Sequence, residues 1–199
     1  MSSKYFVFLY PDEGLVKKIL DLSIFILDPQ EKWPAHITVA GPFATRRRFH
    51  VRRHDYRSRI AVFGVANFFR SKASTVYFNL QLQDLDAVWS KPDFPFNRIP
   101  HLTLYSGGDL EFAKKIYEMA SQKPRKFSFN VTGVNVVKST SNQFQSDLRQ
   151  VIDFEATKVT VGLNFDSVAA LPSEERINIV SQLLDIIPTN FTPTVVPNF

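Results

Sequence analysis

Ala35-His36-Ile37-Thr38-Val39 recurs sixty-five positions along the chain as Pro100-His101-Leu102-Thr103-Leu104, and this repeat decides the architecture. A Pro-containing, aromatic stretch precedes each copy: Lys32-Trp33-Pro34 in the first and Phe94-Pro95-Phe96 in the second. Downstream, Val62-Phe63-Gly64-Val65 is matched by Val131-Thr132-Gly133-Val134, at an offset of 69. Similar offsets in the same order predict a duplicated unit with about four residues inserted in the second copy.

Both motifs have strand composition, and on a strand residues i and i+2 face one side. His36 and Thr38 therefore point together, with Ile37 and Val39 directed into a core. The same parity groups His101 with Thr103 against Leu102 and Leu104, and would carry Tyr105 to the side of His101. If a pseudo-twofold axis relates the two units, the faces meet over a cleft furnished with two imidazoles and two hydroxyls.

The other elements follow from hydrophobic periodicity and turn chemistry. Strands are predicted over Lys4 to Tyr10, residues 35 to 40, Ile60 to Arg70, Thr75 to Gln83, Ile99 to Tyr105, Lys126 to Val137 and a stretch within Gln150 to Leu163. Helices are predicted over Asp12 to Ser23, Leu110 to about Gln122 and Glu174 to Ile187, the last with Ser173 as N-cap, and a short one over Asp84 to Ser90. The expected fold class is α+β. It is bilobal and pseudo-twofold, with mostly antiparallel sheet lining a central cleft and helices outside. Residues 1–199 are expected to form one such domain, ending in a C-terminal helix and extended tail at about 165–199.

The 199 residues are 44% hydrophobic and 22% charged, which excludes fibrous and disordered classes. No cysteine is present, so disulfides, thiolate nucleophiles and Cys-based metal sites are excluded. The apolar run from Tyr5 to Tyr10 is too short for a signal-peptide core or a membrane span. The expectation is a soluble, cytoplasmic monomer without a membrane partner.

The net charge of +5 is concentrated in one place. Residues 44 to 59 carry Arg46, Arg47, Arg48, Arg52, Arg53, Arg57 and Arg59 against Asp55 alone, a local +6, while the remainder holds 17 basic and 18 acidic residues. Such a segment suits contact with a polyanion, or is a solvated loop paired with scattered acids. Asn79, Gln81 and Gln83 alternate along a strand and either hydrogen-bond a nucleotide or form a polar outer face. His50 and His54 have i, i+4 spacing but lie among arginines, so no metal site is expected.

A phosphodiester fits the paired motifs. Its cleavage needs one group to take a proton from the attacking oxygen and another to give one to the leaving oxygen, and two imidazoles titrating near neutrality supply both. Threonine hydroxyls can hold the non-bridging oxygens. The alternative is a module that binds RNA or a nucleotide in the same cleft without turnover.

The motifs resemble those of the two-histidine (2H) phosphoesterase superfamily, which includes LigT-type 2′-5′ RNA ligases and cyclic nucleotide phosphodiesterases. His36-Ile37-Thr38-Val39-Ala40-Gly41-Pro42-Phe43 resembles the first signature and Pro100-His101-Leu102-Thr103-Leu104 the second. The resemblance spans about residues 4 to 163. It implies a bilobal fold and cofactor-independent, metal-independent chemistry on 2′,3′-cyclic or 2′-5′ phosphodiesters of RNA or small nucleotides. It assigns catalysis to His36 and His101 and phosphate binding to Thr38 and Thr103, with ligation also within the family's range. Many LigT-like members have a basic residue after the second motif, where this chain has Tyr105 and Ser106. Tyr105 is then a candidate substrate contact or a piece of cleft wall, and Arg46, Arg47 and Arg48 are candidates to rim the cleft. Pseudo-symmetry leaves the roles of base and acid open between the histidines.

Overall fold

The computed structural model describes residues 4–31, 33–44, 56–70, 72–81, 100–139 and 165–189. Its elements run β1 (Tyr5–Leu9), α1 (Leu15–Leu27), β2 (Ile37–Phe43), β3 (Arg57–Phe68), β4 (Ser74–Gln81), β5 (His101–Gly107), α2 (Leu110–Ser121), β6 (Phe127–Thr132), β7 (Asn135–Lys138), α3 (Phe165–Ala170) and α4 (Ser173–Ile186). The predicted helix over 84–90 and the strand within 150–163 lie outside the described residues, as does the chain beyond 189.

The strands form one antiparallel sheet in the order β6-β3-β4-β5-β2-β1-β7. Its centre is the contact between the two motif strands, where Ile37 pairs with Leu102. These residues are equivalents in the repeat, so the pseudo-twofold axis passes between them. Outward from it run β2-β1-β7 on one side and β5-β4-β3 on the other, with β6 added at the edge. The symmetry extends to irregularities. In the first half the register changes from Phe8 opposite Thr38 to Val7 opposite Ala40, and in the second from Tyr77 opposite Thr103 to Val76 opposite Tyr105. Val39 and Leu104, sixty-five apart, are thus the extra residues of matching β-bulges.

Strands β6 and β7 occupy opposite edges of the sheet, yet only Gly133 and Val134 separate them in sequence. A link this short spans roughly 10 Å at most, so the sheet must curl until its edges approach. Residues following β1 stitch the gap: Pro11 bridges Val131, and the Asp12 amide donates to Asn130 O at 2.8 Å. Gly133 turns the chain at φ 78, a conformation that favours glycine. This turn divides the strand predicted over Lys126 to Val137. Val131 to Val134 nonetheless holds the position of Val62 to Val65 in the repeat: Val131 stands opposite Pro11 as Val62 stands opposite Leu80, and Asn135 opposite Phe8 as Ala66 opposite Tyr77, each sixty-nine positions apart. The symmetry mate of β3 is β7, while β6 pairs with β3 directly.

The apolar face of the sheet, including Ile37, Leu102, Leu104, Val76 and Phe78, carries the helices. Helix α1 is buried on Ile19, Leu20 and Ile24, and the burial continues through Phe25, Ile26 and Leu27. The helix therefore runs past the predicted end at Ser23 to the Asp28-Pro29 stop. Helix α2 begins at Asp109, whose Oδ1 accepts the Phe112 amide at 2.9 Å, and buries Phe112, Ile116 and Met119. Helix α4 packs across α1 and α2 through Ile177, Val180, Leu183 and Leu184. Pro172, not Ser173, occupies its N-cap, and Glu174 and Glu175 complement the helix dipole in its first turn. In β2, Gly41 sits at φ 109, and a Cβ there would stand 2.8 Å from Tyr5 O, so the Gly-Pro-Phe end of the motif reflects close passage of β1.

Because the central pair is fully buried at 0% exposure on both sides, Leu102→Ala is expected to lower unfolding free energy by about 2–5 kcal/mol. Ser106→Ala on the opposite face should change it by less than about 0.5 kcal/mol. Urea denaturation of the two variants checks the contrast.

Candidate active site

Continuing the Ile37–Leu102 register by one residue in each direction sets His36 opposite Thr103 and Thr38 opposite His101. All four residues are partly buried on the face away from the helices. The histidines are diagonal neighbours, a relation that places two residues about 7–8 Å apart in antiparallel sheet, within reach of long side chains. The charge of His101 acts on the titration of His36, as expected of groups sharing one site.

Each imidazole rests on an aromatic ring from the next strand outward. The His36 ring lies 4.0 Å from that of Phe8, tilted by 33°, and 5.7 Å from Trp33, perpendicular to it. The His101 ring lies 4.8 Å from Tyr77, tilted by 55°, while Phe68 stacks on Tyr77 at 4.7 Å. Phe8 and Tyr77 occupy equivalent positions, opposite Thr38 and Thr103 respectively. Neither supporting ring was singled out from sequence, because each belongs to a strand remote from the motif it serves.

The half-sites differ electrostatically. His36 Nδ1 lies 2.8 Å from the Pro34 carbonyl oxygen. A carbonyl only accepts, so Nδ1 carries the hydrogen and neutral His36 exposes its lone pair at Nε2. Burial lowers the His36 pKa to about 4; the Pro34 bond opposes the shift and the positive charge of His101 adds to it. His36 is therefore an unprotonated imidazole at neutral pH.

The bulge at Leu104 displaces Tyr105 from the parity predicted for it. Tyr105 stands opposite Val76 on the helix side, is 8% exposed and meets Phe112 edge to face at 5.3 Å. Burial, with Asp109 and Asp28 nearby, raises its phenol pKa. It is thus packed beneath α2 and not on the face that bears His101. Ser106 takes the position on the face away from the helices, and its hydroxyl lies 3.1 Å from that of Thr75.

Arg46, Arg47 and Arg48 lie outside the described residues, as do His50 and His54. Two arginines of the same segment are placed: Arg57 and Arg59 alternate on β3, opposite Thr132 and Asn130. Strand parity carries them to the face that bears Asn79, Gln81 and His101. Arg59 Nε donates to Ser128 Oγ at 2.9 Å. Asn79 stands directly opposite His101. Asn79 and Gln81 thus share a face with His101, while Gln83 lies outside the described residues.

A curled antiparallel sheet that presents two His-x-Thr pairs side by side across a pseudo-twofold axis defines a 2H phosphoesterase-type protein. Residues 25–143 match the family model of the 2′-5′ RNA ligase superfamily, and the chain belongs to that superfamily. No curated protein matches it significantly. Membership makes this an enzyme of the 2H phosphoesterase and RNA ligase kind. Among the described residues no helix is long and apolar enough to cross a membrane.

The depressed His36 pKa has a consequence for folding. Its ordinary value of 6.5 applies to the unfolded chain, which therefore binds a proton that the folded chain refuses between pH 6.5 and about 4. Stability linked to His36 is fully present above that window and is lost as pH falls through it. Between about pH 7 and pH 4.5 the wild type should lose on the order of 2 kcal/mol more unfolding free energy than His36→Gln, as measured by urea denaturation at each pH.

Proposed function

We propose that the protein is a metal-independent phosphodiesterase acting on 2′,3′-cyclic phosphates of nucleotides or RNA ends, or on 2′-5′ linkages, with His36 as general base and His101 as general acid. The observation that carries this reading is the placement of both His-x-Thr pairs on one face across the Ile37–Leu102 contact. A phosphate bound there would meet an imidazole on either side, and the shared face of Arg57, Arg59 and Asn79 suits an anionic nucleotide.

In opening of a cyclic phosphate, His36 Nε2 takes a proton from water, the water oxygen bonds to phosphorus, and the bond to a ribose oxygen breaks. His101 gives that oxygen its proton. Thr38 and Thr103 donate hydrogen bonds to the non-bridging oxygens as charge gathers on them. Cleavage of a 2′-5′ linkage uses the same pair, with the neighbouring ribose 3′-hydroxyl in place of water. Each proton transfer is worth about 10²- to 10⁴-fold. The assignment of base follows from the unprotonated Nε2 of His36 and its pKa near 4. The face of Tyr77 beneath His101 suits a cationic ring.

Incubation with 2′,3′-cyclic AMP and, separately, a 2′-5′ adenylyl dinucleotide, with products resolved by mass and regiochemistry, tests the proposal. Turnover of either is expected to withstand a chelator and to show a bell-shaped pH profile. The acid limb should be displaced below the ordinary histidine range toward the His36 value of about 4. His36→Ala and His101→Ala should each lower kcat/KM by about 10²- to 10⁴-fold, with the double variant little worse. Binding of both substrates without product would contradict the proposal.

A further inference from the structure

Helix α1 contains a buried ion pair that the proposed chemistry does not use. Asp21 is 2% exposed, and its Oδ2 accepts from Lys17 Nζ at 2.7 Å. Its other oxygen leaves the helix: Oδ1 accepts the backbone N–H of Ala35, also at 2.7 Å. That N–H belongs to the same peptide group as the Pro34 carbonyl, whose oxygen holds His36 Nδ1 at 2.8 Å. One rigid peptide plane therefore has a carboxylate on its donor end and an imidazole on its acceptor end. Glu31 supports the segment by accepting the Trp33 amide at 3.1 Å.

We propose that Asp21 is a positioning residue for His36, acting through the Pro34–Ala35 peptide as a carboxylate acts directly in an Asp-His pair. The carboxylate fixes the plane of the peptide and polarises it, because a charge accepting at N–H strengthens the carbonyl as an acceptor. The carbonyl in turn keeps the hydrogen on Nδ1 and aims Nε2 at the cleft. Such control of tautomer and orientation is the role an Asp plays toward the imidazole of a catalytic triad. The consequence for turnover rests on the proposed role of His36 as base; the consequence for its tautomer does not.

The charged groups at Asp21 are Lys17 and, more distantly, Glu13, which lies 3.5 Å from Lys17. Burial raises the Asp21 pKa, opposed by Lys17, while the Lys17 pKa is raised by Asp21 and Glu13 against the effect of burial. Lys17 thus offsets the burial of the carboxyl group, and Asp21 serves Ala35, whose N–H a carboxyl oxygen accepts whether the group is ionised or protonated.

The test uses the double variant Asp21→Leu/Lys17→Met, since replacing a buried ion pair by apolar residues of similar volume is often neutral for folding. The single variant Lys17→Met retains the acceptor for Ala35. Nitrogen-15 NMR of the imidazoles at about pH 7, where neutral and charged histidine are distinguishable, should show His36 protonated on Nδ1 in the wild type and in Lys17→Met. In the double variant it should show a mixture of tautomers, with His101 unchanged. Turnover of 2′,3′-cyclic AMP should fall by about 10- to 10²-fold in kcat with KM within about twofold. In the wild type alone, the Ala35 amide should resist hydrogen exchange, which keeps the proposal testable even if the double variant fails to fold. A His36 tautomer and kcat in the double variant equal to those of Lys17→Met, or rapid exchange of the Ala35 amide, would overturn it. Absence of turnover by the wild type would instead remove the proposed function, leaving the tautomer to decide the role of Asp21.

Discussion

The structure depends on one cross-strand contact, Ile37 against Leu102, at the centre of a seven-stranded sheet. Both side chains are withdrawn completely from solvent on the helix side. Since strand residues alternate, burying this pair turns His36, Thr38, His101 and Thr103 to the other face. A slip of one residue in either strand would send its histidine beneath the helices and turn its aliphatic residue to the opposite face. Hydrophobic burial thus holds the polar constellation in register. The two-residue link from β6 to β7 then brings the edges of the sheet together.

On this symmetric frame the protein builds two unlike environments. His36 lies on Phe8 and Trp33 and is tied to a backbone carbonyl that selects its tautomer. His101 lies on Tyr77, backed by Phe68, with Asn79 as its cross-strand neighbour. In the proposed acid–base chemistry this inequality favours one of the two ways of placing a single proton on the pair. In the proposed reaction, symmetry would supply the approach from both sides of phosphorus, and its local breaking the division of labour. The Asp21 contact belongs to the same logic, acting on one half-site from a helix that precedes the first motif.

The site was legible in the sequence where local alternation sufficed. His36 with Thr38 and His101 with Thr103 follow from strand parity, and the pseudo-twofold arrangement follows from their repetition. Parity failed at Tyr105, where the bulge at Leu104 moved the ring beneath α2. The equivalent bulge at Val39 shows that the irregularity belongs to the duplicated unit, but no residue type announces it. The match between Val62–Val65 and Val131–Val134 marks equivalent positions sixty-nine apart, but it does not reveal that Gly64 stays within a strand while Gly133 makes a left-handed turn. The rings beneath the histidines and the carboxylate behind His36 come from β1, β4 and α1. Their roles arise from packing between distant segments, which hydrophobic periodicity does not encode.

The most direct measurement of the central claim follows both imidazoles while an unreactive nucleotide monophosphate, 2′-AMP, is titrated into the wild-type protein. Convergence on one phosphate predicts that the ring signals of His36 and His101 move together along a single binding curve, and that Thr103→Val weakens both responses equally. A phosphate that perturbs only one imidazole, or the two with different affinities, would contradict a shared site.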